Sequence, residues 1–108
     1  MTRGDQVHVT PVEPLVFAAE VWIAPGDGAW HFLTVPEEPS EVIRLESGPR
    51  VGFGSVKVRV TVGASTWSTS VFPNTHDTYV LPLKRKIRDA EGILAGDVIA
   101  VTLRLAST

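Results

Sequence analysis

The chain contains no cysteine. That absence excludes disulfides, thiolate metal sites and cysteine nucleophiles together, and it makes a reducing, cytoplasmic setting the expectation. A long apolar run is also missing. Nothing approaches the roughly 18 residues of a membrane-spanning helix, and the opening MTRGDQVHVTPVEP lacks the apolar core of a signal peptide. The expectation is a soluble, unanchored protein. An excess of basic charge is lacking too. The formal net charge is −2, unlike the strongly basic balance of dedicated nucleic-acid binders.

The charge that is present is unevenly divided. Residues 1–50 hold three Arg against eight Asp and Glu, a balance of −5, whereas residues 51–108 hold seven Lys and Arg against four acids, a balance of +3. An anion-facing side in the second half is one implication; a solvated surface whose charges cancel across the fold is the simpler one. With 108 residues the chain suffices for one core, burying roughly 65% of its unfolded surface.

Periodicity predicts a mainly β protein with two short helices. Residues 1–14, with Pro11 and Pro14 and no clear period, read as a flexible N-terminal arm, and residues 15–108 as a single domain. LVFAAEVWI (15–23) has strand character; Pro25-Gly26-Asp27-Gly28 supplies turn chemistry; Ala29 to Val35 resumes as a strand. PEEPSEVIRLESGP then fits a helix of about two turns, with Ser40 as N-cap, Val42 and Leu45 on one stripe, and Gly48-Pro49 as the stop. From Phe53 to Val62, Val56, Val58, Val60 and Val62 alternate with Lys57, Arg59 and Thr61, which puts the valines inside and the cations outside. Thr66 to Phe72 follows, with Trp67, Thr69 and Val71 opposite Ser68, Ser70 and Phe72.

Thr78 to Leu81 is a further strand, and Pro82 suits the first turn of a helix. Leu83, Ile87 and Ala90 form that helix's inward stripe, leaving Lys84, Arg85, Lys86 and Arg88 on or beside its outer face. Gly92 is the C-terminal stop with Ile93 folding back, and Val98 to Leu105 is the last strand. The order strand, strand, helix, strand occurs twice. It reads as a duplicated ββαβ unit in which Val35-Pro36 and Ile43-Arg44 correspond to Leu81-Pro82 and Ile87-Arg88. Six mostly antiparallel strands of this kind close most naturally into a barrel, which removes exposed edges.

LPLKRKIRDAEGILAGDVIAVTL, with AWHFLTVP and TSVFP upstream, resembles a small bacterial family known only as a domain of unknown function, over about Phe17 to Leu105. That family is similar in fold to the double-split β-barrel of the AbrB, MazE and MraZ group. There a stretch shaped like IPKEIRELLGIKPGD plays the part taken here by Leu81 to Lys84, Ile87-Arg88, Gly92-Ile93 and Gly96-Asp97. The resemblance implies no activity and no catalytic residue. AbrB-like proteins build the barrel from two chains; a chain holding both halves is expected to close it alone, as a monomer.

Catalytic chemistry finds little support. His8, His31 and His76 are isolated, and only His76-Asp77, on a loop after Asn74, has the makings of an oriented imidazole. TWSTSVF lacks a nucleophile elbow. The glycines of GDG (26–28) and GFG (52–54) belong to turns and bulges, since neither opens a helix followed by lysine. Asp27, Glu37, Glu38 and Glu41 lack the spacing of a calcium loop. No enzyme, no cofactor and no metal are expected.

Two binding constellations remain. An aromatic set of Trp22, Trp30, Trp67, Phe72 and Tyr79 is suited to core packing or to a cleft, with Trp67, His76 and Tyr79 the candidate pocket for a small molecule or protein partner. The basic set Lys84, Arg85, Lys86 and Arg88, joined by Lys57 and Arg59, is the alternative: nucleic-acid or other anion binding. The leading expectation is a non-enzymatic binding domain.

Overall fold

The computed structural model describes residues 14–26, 28–47 and 54–106. The expected arm, apart from Pro14, lies outside them, as do His8 and Asp27 of the sequence candidates.

Six strands form a closed barrel: β1 (Leu15–Ile23), β2 (His31–Val35), β3 (Val56–Val62), β4 (Ser65–Pro73), β5 (Tyr79–Pro82) and β6 (Val98–Leu105), in the order β1-β2-β5-β4-β3-β6 with every neighbour antiparallel. Helix α1 (Glu37–Glu46) joins β2 to β3, and α2 (Arg85–Glu91) joins β5 to β6. No helix is long and apolar enough to cross a membrane among the described residues. The alternation expected of β3, β4 and β6 is realised: Val58, Val60, Val62, Trp67, Val71, Val101 and Leu103 are buried with Leu33, Val35 and Leu81 in one core. Exchanging β1, β2, α1 and β3 for β4, β5, α2 and β6 leaves the strand order unchanged.

The barrel is closed by two short ladders. β1 meets β2 only from Val21↔Leu33 to Ile23↔His31, and β4 meets β5 only at Phe72↔Val80 and Pro73↔Tyr79. Beyond those pairs the strands diverge, with α1 packed on β1 and α2 on β4. Between β3 and β4 the turn is tight. Gly63 stands at φ 58 at the first central position of a two-residue hairpin loop, a place that glycine fills without strain. A β-carbon there would also collide with the carboxylate of Glu91, which accepts a hydrogen bond from Ser65 Oγ at 2.6 Å.

Ser40 departs from its expected role. It lies inside α1, fully buried, and the helix is capped instead by Pro36. Its hydroxyl donates to Val35 C=O (3.0 Å) and accepts from Tyr79 N–H (3.2 Å). Val35 and Tyr79 are opposite each other at the end of the β2–β5 ladder, so one hydroxyl completes the ladder and fastens α1 to it. Because the helix starts three residues earlier than Ser40, its buried side is Ser40 and Ile43, and Leu45 is left exposed.

The second helix also begins elsewhere. Pro82 is the last residue of β5, and Lys84 is the N-cap of α2. Leu83 therefore precedes the helix, its N–H paired with His31 C=O, so counting four and seven residues from it does not follow a helical face. Leu83, Ile87 and Ile93 are buried, while Ala90 is exposed. At the C-terminus, Gly92 takes the left-handed conformation (φ 65) and Ile93 N–H folds back to Arg88 C=O at 2.9 Å, as its sequence suggests. The two helix entries differ in where proline falls: the N-cap is Pro36 in α1 and Lys84 in α2, two residues after Pro82.

Replacing Ser40 by Ala removes both halves of the Val35–Tyr79 bridge inside the core. We expect a loss of about 1–3 kcal/mol, each kcal/mol lowering Tm by roughly 4–8 °C in a domain of about this size. A thermal melt that leaves Tm unchanged contradicts this role.

Candidate functional site

Trp67 and Tyr79 do not line an open pocket. Trp67 faces the barrel interior at 8% exposure and Tyr79 at 2%. The polar neighbours Thr66 and Ser68 point away from the indole, because side chains alternate along β4. His76 stands apart, on an exposed 3-10 turn, Thr75–Asp77, where it and Asp77 both take positive φ (63° and 61°). Asp77 C=O there accepts from Arg44 Nη1 at 3.3 Å.

Open aromatic surface lies instead on the outside of the barrel. Trp30 is 66% exposed and Phe72 42%. They border a groove of about 880 Å³ lined also by Phe32, Lys57, Ser68, Thr69, Ser70, Val80 and Pro82. Each contributor has a local cause. Phe72, Ser70 and Ser68 are the outward set of β4, opposite Trp67, Thr69 and Val71. Phe32 is held by Trp22, whose ring lies at 5.2 Å between centroids and whose indole N–H donates to Thr34 Oγ1 at 3.1 Å. Trp30 closes the β1–β2 turn, its C=O accepting from Ala24 N–H at 2.9 Å. Its indole lies so close to Gly28 that a β-carbon there would overlap the ring.

The groove follows the split between β4 and β5. Leu83 N–H donates to His31 C=O at 2.9 Å, so odd-numbered residues of this segment turn their backbone groups toward β2, and Val80 and Pro82 turn theirs toward β4. Asn74 N–H donates to Thr78 C=O at 2.8 Å, which by the same alternation directs the backbone of Phe72, Ser70 and Ser68 toward β5. Continuing the register past Phe72↔Val80 would set Ser70 opposite Pro82, which has no N–H to give. The ladder ends there, β5 leaves for α2, and Thr69 becomes visible from outside through the gap.

The cations divide into three places. Lys84, Arg85 and Arg88 line a second cleft, of about 570 Å³, with His31, Asp89 and the far side of Trp30. Two of its charges are partly engaged: Arg85 Nε lies 3.7 Å from Asp89 Oδ2, and Arg88 Nε donates to Leu83 C=O at 3.1 Å. Lys86 is exposed on α2 outside that cleft. Lys57 is in the apolar groove. Arg59 lies directly opposite Arg104 of β6 and beside Ser68 of β4. The outward positions of β3, β4 and β6 contain no acid; the acid on that sheet face is Glu20 of β1, opposite Val98 at the far end of β6. Lys57 and the α2 cations line different cavities, and Arg59 lines neither of the two. Among the described residues no three His, Asp or Glu are grouped as metal ligands.

Sequence patterning sets Phe72, Ser68 and Ser70 on one face of β4 without saying which face is outward; it does not single out Phe32, Pro82 or Arg104 as site residues. The clue for Pro82 was a proline at the end of a four-residue strand, which is the signature of an edge or a break.

Trp67→Ala should cost about 3–5 kcal/mol by emptying the core, whereas Phe72→Ser should change stability by less than about 1 kcal/mol. Urea unfolding of the two variants measures the contrast, and equal losses would contradict the placement of both rings.

The comparisons add a family and no activity. No curated protein matches the chain. The model of a domain of unknown function, DUF1905, matches residues 17–103, most of the barrel from β1 to β6, and on that match the chain belongs to the DUF1905 family.

Proposed function

We propose that this domain is a non-catalytic binding module, and that its site is the groove over the β4–β5 split, receiving a protein segment or a small ligand. One observation carries the reading: Trp30 and Phe72 are held open to solvent on the rim of a single apolar groove. Rings that serve stability are buried, as Trp67 is; exposed apolar groupings of this kind mark contact surfaces. Lys57 and the hydroxyls of Ser68 and Ser70 supply the few polar groups that orient an occupant. The domain acts as a cytoplasmic monomer, its two halves being repeats that close one barrel.

Nucleic acid is the second reading. It is favoured by Arg59 and Arg104, which stand face to face on strands whose outward positions carry no acid, and by the exposed Lys84, Arg85 and Lys86. Similarity in fold to AbrB-like proteins belongs to this reading as well.

Occupation of the groove should quench or shift Trp30 fluorescence. Screening a mixed library of metabolites and short peptides should yield at least one saturable response that Trp30→Phe removes and Trp67→Phe does not. A flat response across the library sinks the groove reading. The nucleic-acid reading expects mixed-sequence DNA to bind at low salt, to weaken steeply as salt rises, and to be lost in a variant carrying Arg85→Ala with Lys86→Ala.

A further inference from the structure

We propose that the occupant of the groove is an extended, acid-bearing peptide segment of a partner protein, added as a short strand to β4 at Ser68 and Ser70, between the β4–β5 ladder and the end of β4 on which α2 packs. This rests on the groove reading and specifies its partner. Three features point to a strand. The backbone groups of Ser68 and Ser70 face the split, and the natural neighbour that would have taken them up is withdrawn at Pro82. Unpaired strand edges are templates for pairing with another chain. The neighbouring β3 is fully committed, pairing with β4 from Val56↔Val71 to Val62↔Ser65 and with β6 on its other side, so β4 can gain a partner only across the split.

The side chains of the groove say what such a strand carries. Residues alternate between two faces of an added strand, so one set would meet Phe72, Phe32 and Trp30 while its backbone bonds to Ser68 and Ser70. Apolar or aromatic residues at alternate positions fit that floor. Lys57 borders the floor beside Ser70, its cross-strand neighbour; beyond it lie Arg59 and Arg104, and past Trp30 the cleft of Lys84 and Arg85. A carboxylate at either end of the segment meets a cation. The groove volume of about 880 Å³ is within the usual range of roughly 300–1,000 Å³ for a ligand site and suits a few residues, in keeping with the two β4 positions that offer backbone groups.

The test is selection of random nonapeptides displayed on phage against the purified protein, followed by titration of synthetic versions of the enriched sequences into Trp30 fluorescence. The expected peptides alternate apolar and polar residues and carry Asp or Glu. Methylating the two central backbone nitrogens of such a peptide should weaken binding at least tenfold, as should Lys57→Glu or Ser70→Pro in the protein. Ser70→Pro removes a donor that faces the split and leaves the bonds to β3 in place; the N-methylated peptides make the same point without altering the fold. Peptides that bind equally well after methylation overturn strand addition. So does a screen in which small aromatic compounds perturb Trp30 and no peptide is enriched, an outcome that leaves the groove reading standing. Tight, salt-sensitive binding of oligo-dT or oligo-rU with no peptide enriched assigns the surface to single-stranded nucleic acid and overturns the proposal as well. Silence in every arm removes the groove reading with it.

Discussion

The contact between Leu33 and Leu81 is the constraint on which the molecule depends. Both residues are fully buried and lie opposite each other where β2 meets β5, one of the four ladders that join the first half of the chain to the second. Without that ladder the barrel is an open six-stranded sheet, β2-β1-β6-β3-β4-β5, with β2 and β5 as unpaired edges. Closing it brings Val35 and Tyr79 to the end of the ladder, where Ser40 can bind both. The helix α1 is thereby located by a hydroxyl in the core, not by a cap at its end.

The same seam accounts for where the surface opens. β5 is four residues long and must serve two neighbours. Its odd-numbered groups turn toward β2, with Ser40 taking the Tyr79 N–H, and its even-numbered groups serve β4 only until Pro82 interrupts them. A proline is tolerated at this point because its missing donor faces the gap and costs β2 nothing. The groove, the exposed rings beside it and the helix entry that follows are all consequences of that one residue's position.

Much of the fold was legible in the chain. The alternation of Val56 to Val62 and of Val98 to Leu105 gave strand faces that hold in three dimensions, and the two helices lie in the segments where breakers and apolar spacing put them. What failed was phase. Ser40 has the chemistry of an N-cap, but a hydroxyl also satisfies a buried ladder end, and only tertiary contacts decide between the two. Pro82 has the chemistry of a helix start, yet a short strand beside a split accepts it as readily. The candidate site suffered for a similar reason. Trp67 sits among Thr and Ser in sequence, and a strand's neighbours in sequence point to the opposite face; its real surroundings are Val60 and the rest of the core. Trp30, in a turn with no period to read, could be placed only once the turn itself was built.

Arg59 and Arg104 stand opposite each other on β3 and β6. Two guanidinium groups set opposite each other on adjacent strands repel in the folded state and separate when the chain unfolds, so this barrel contains a small internal load that an anion relieves. Anything that binds the folded form alone raises its stability by mass action. On this outer face the fold itself therefore favours a negatively charged neighbour, although the chain as a whole carries a net charge of −2.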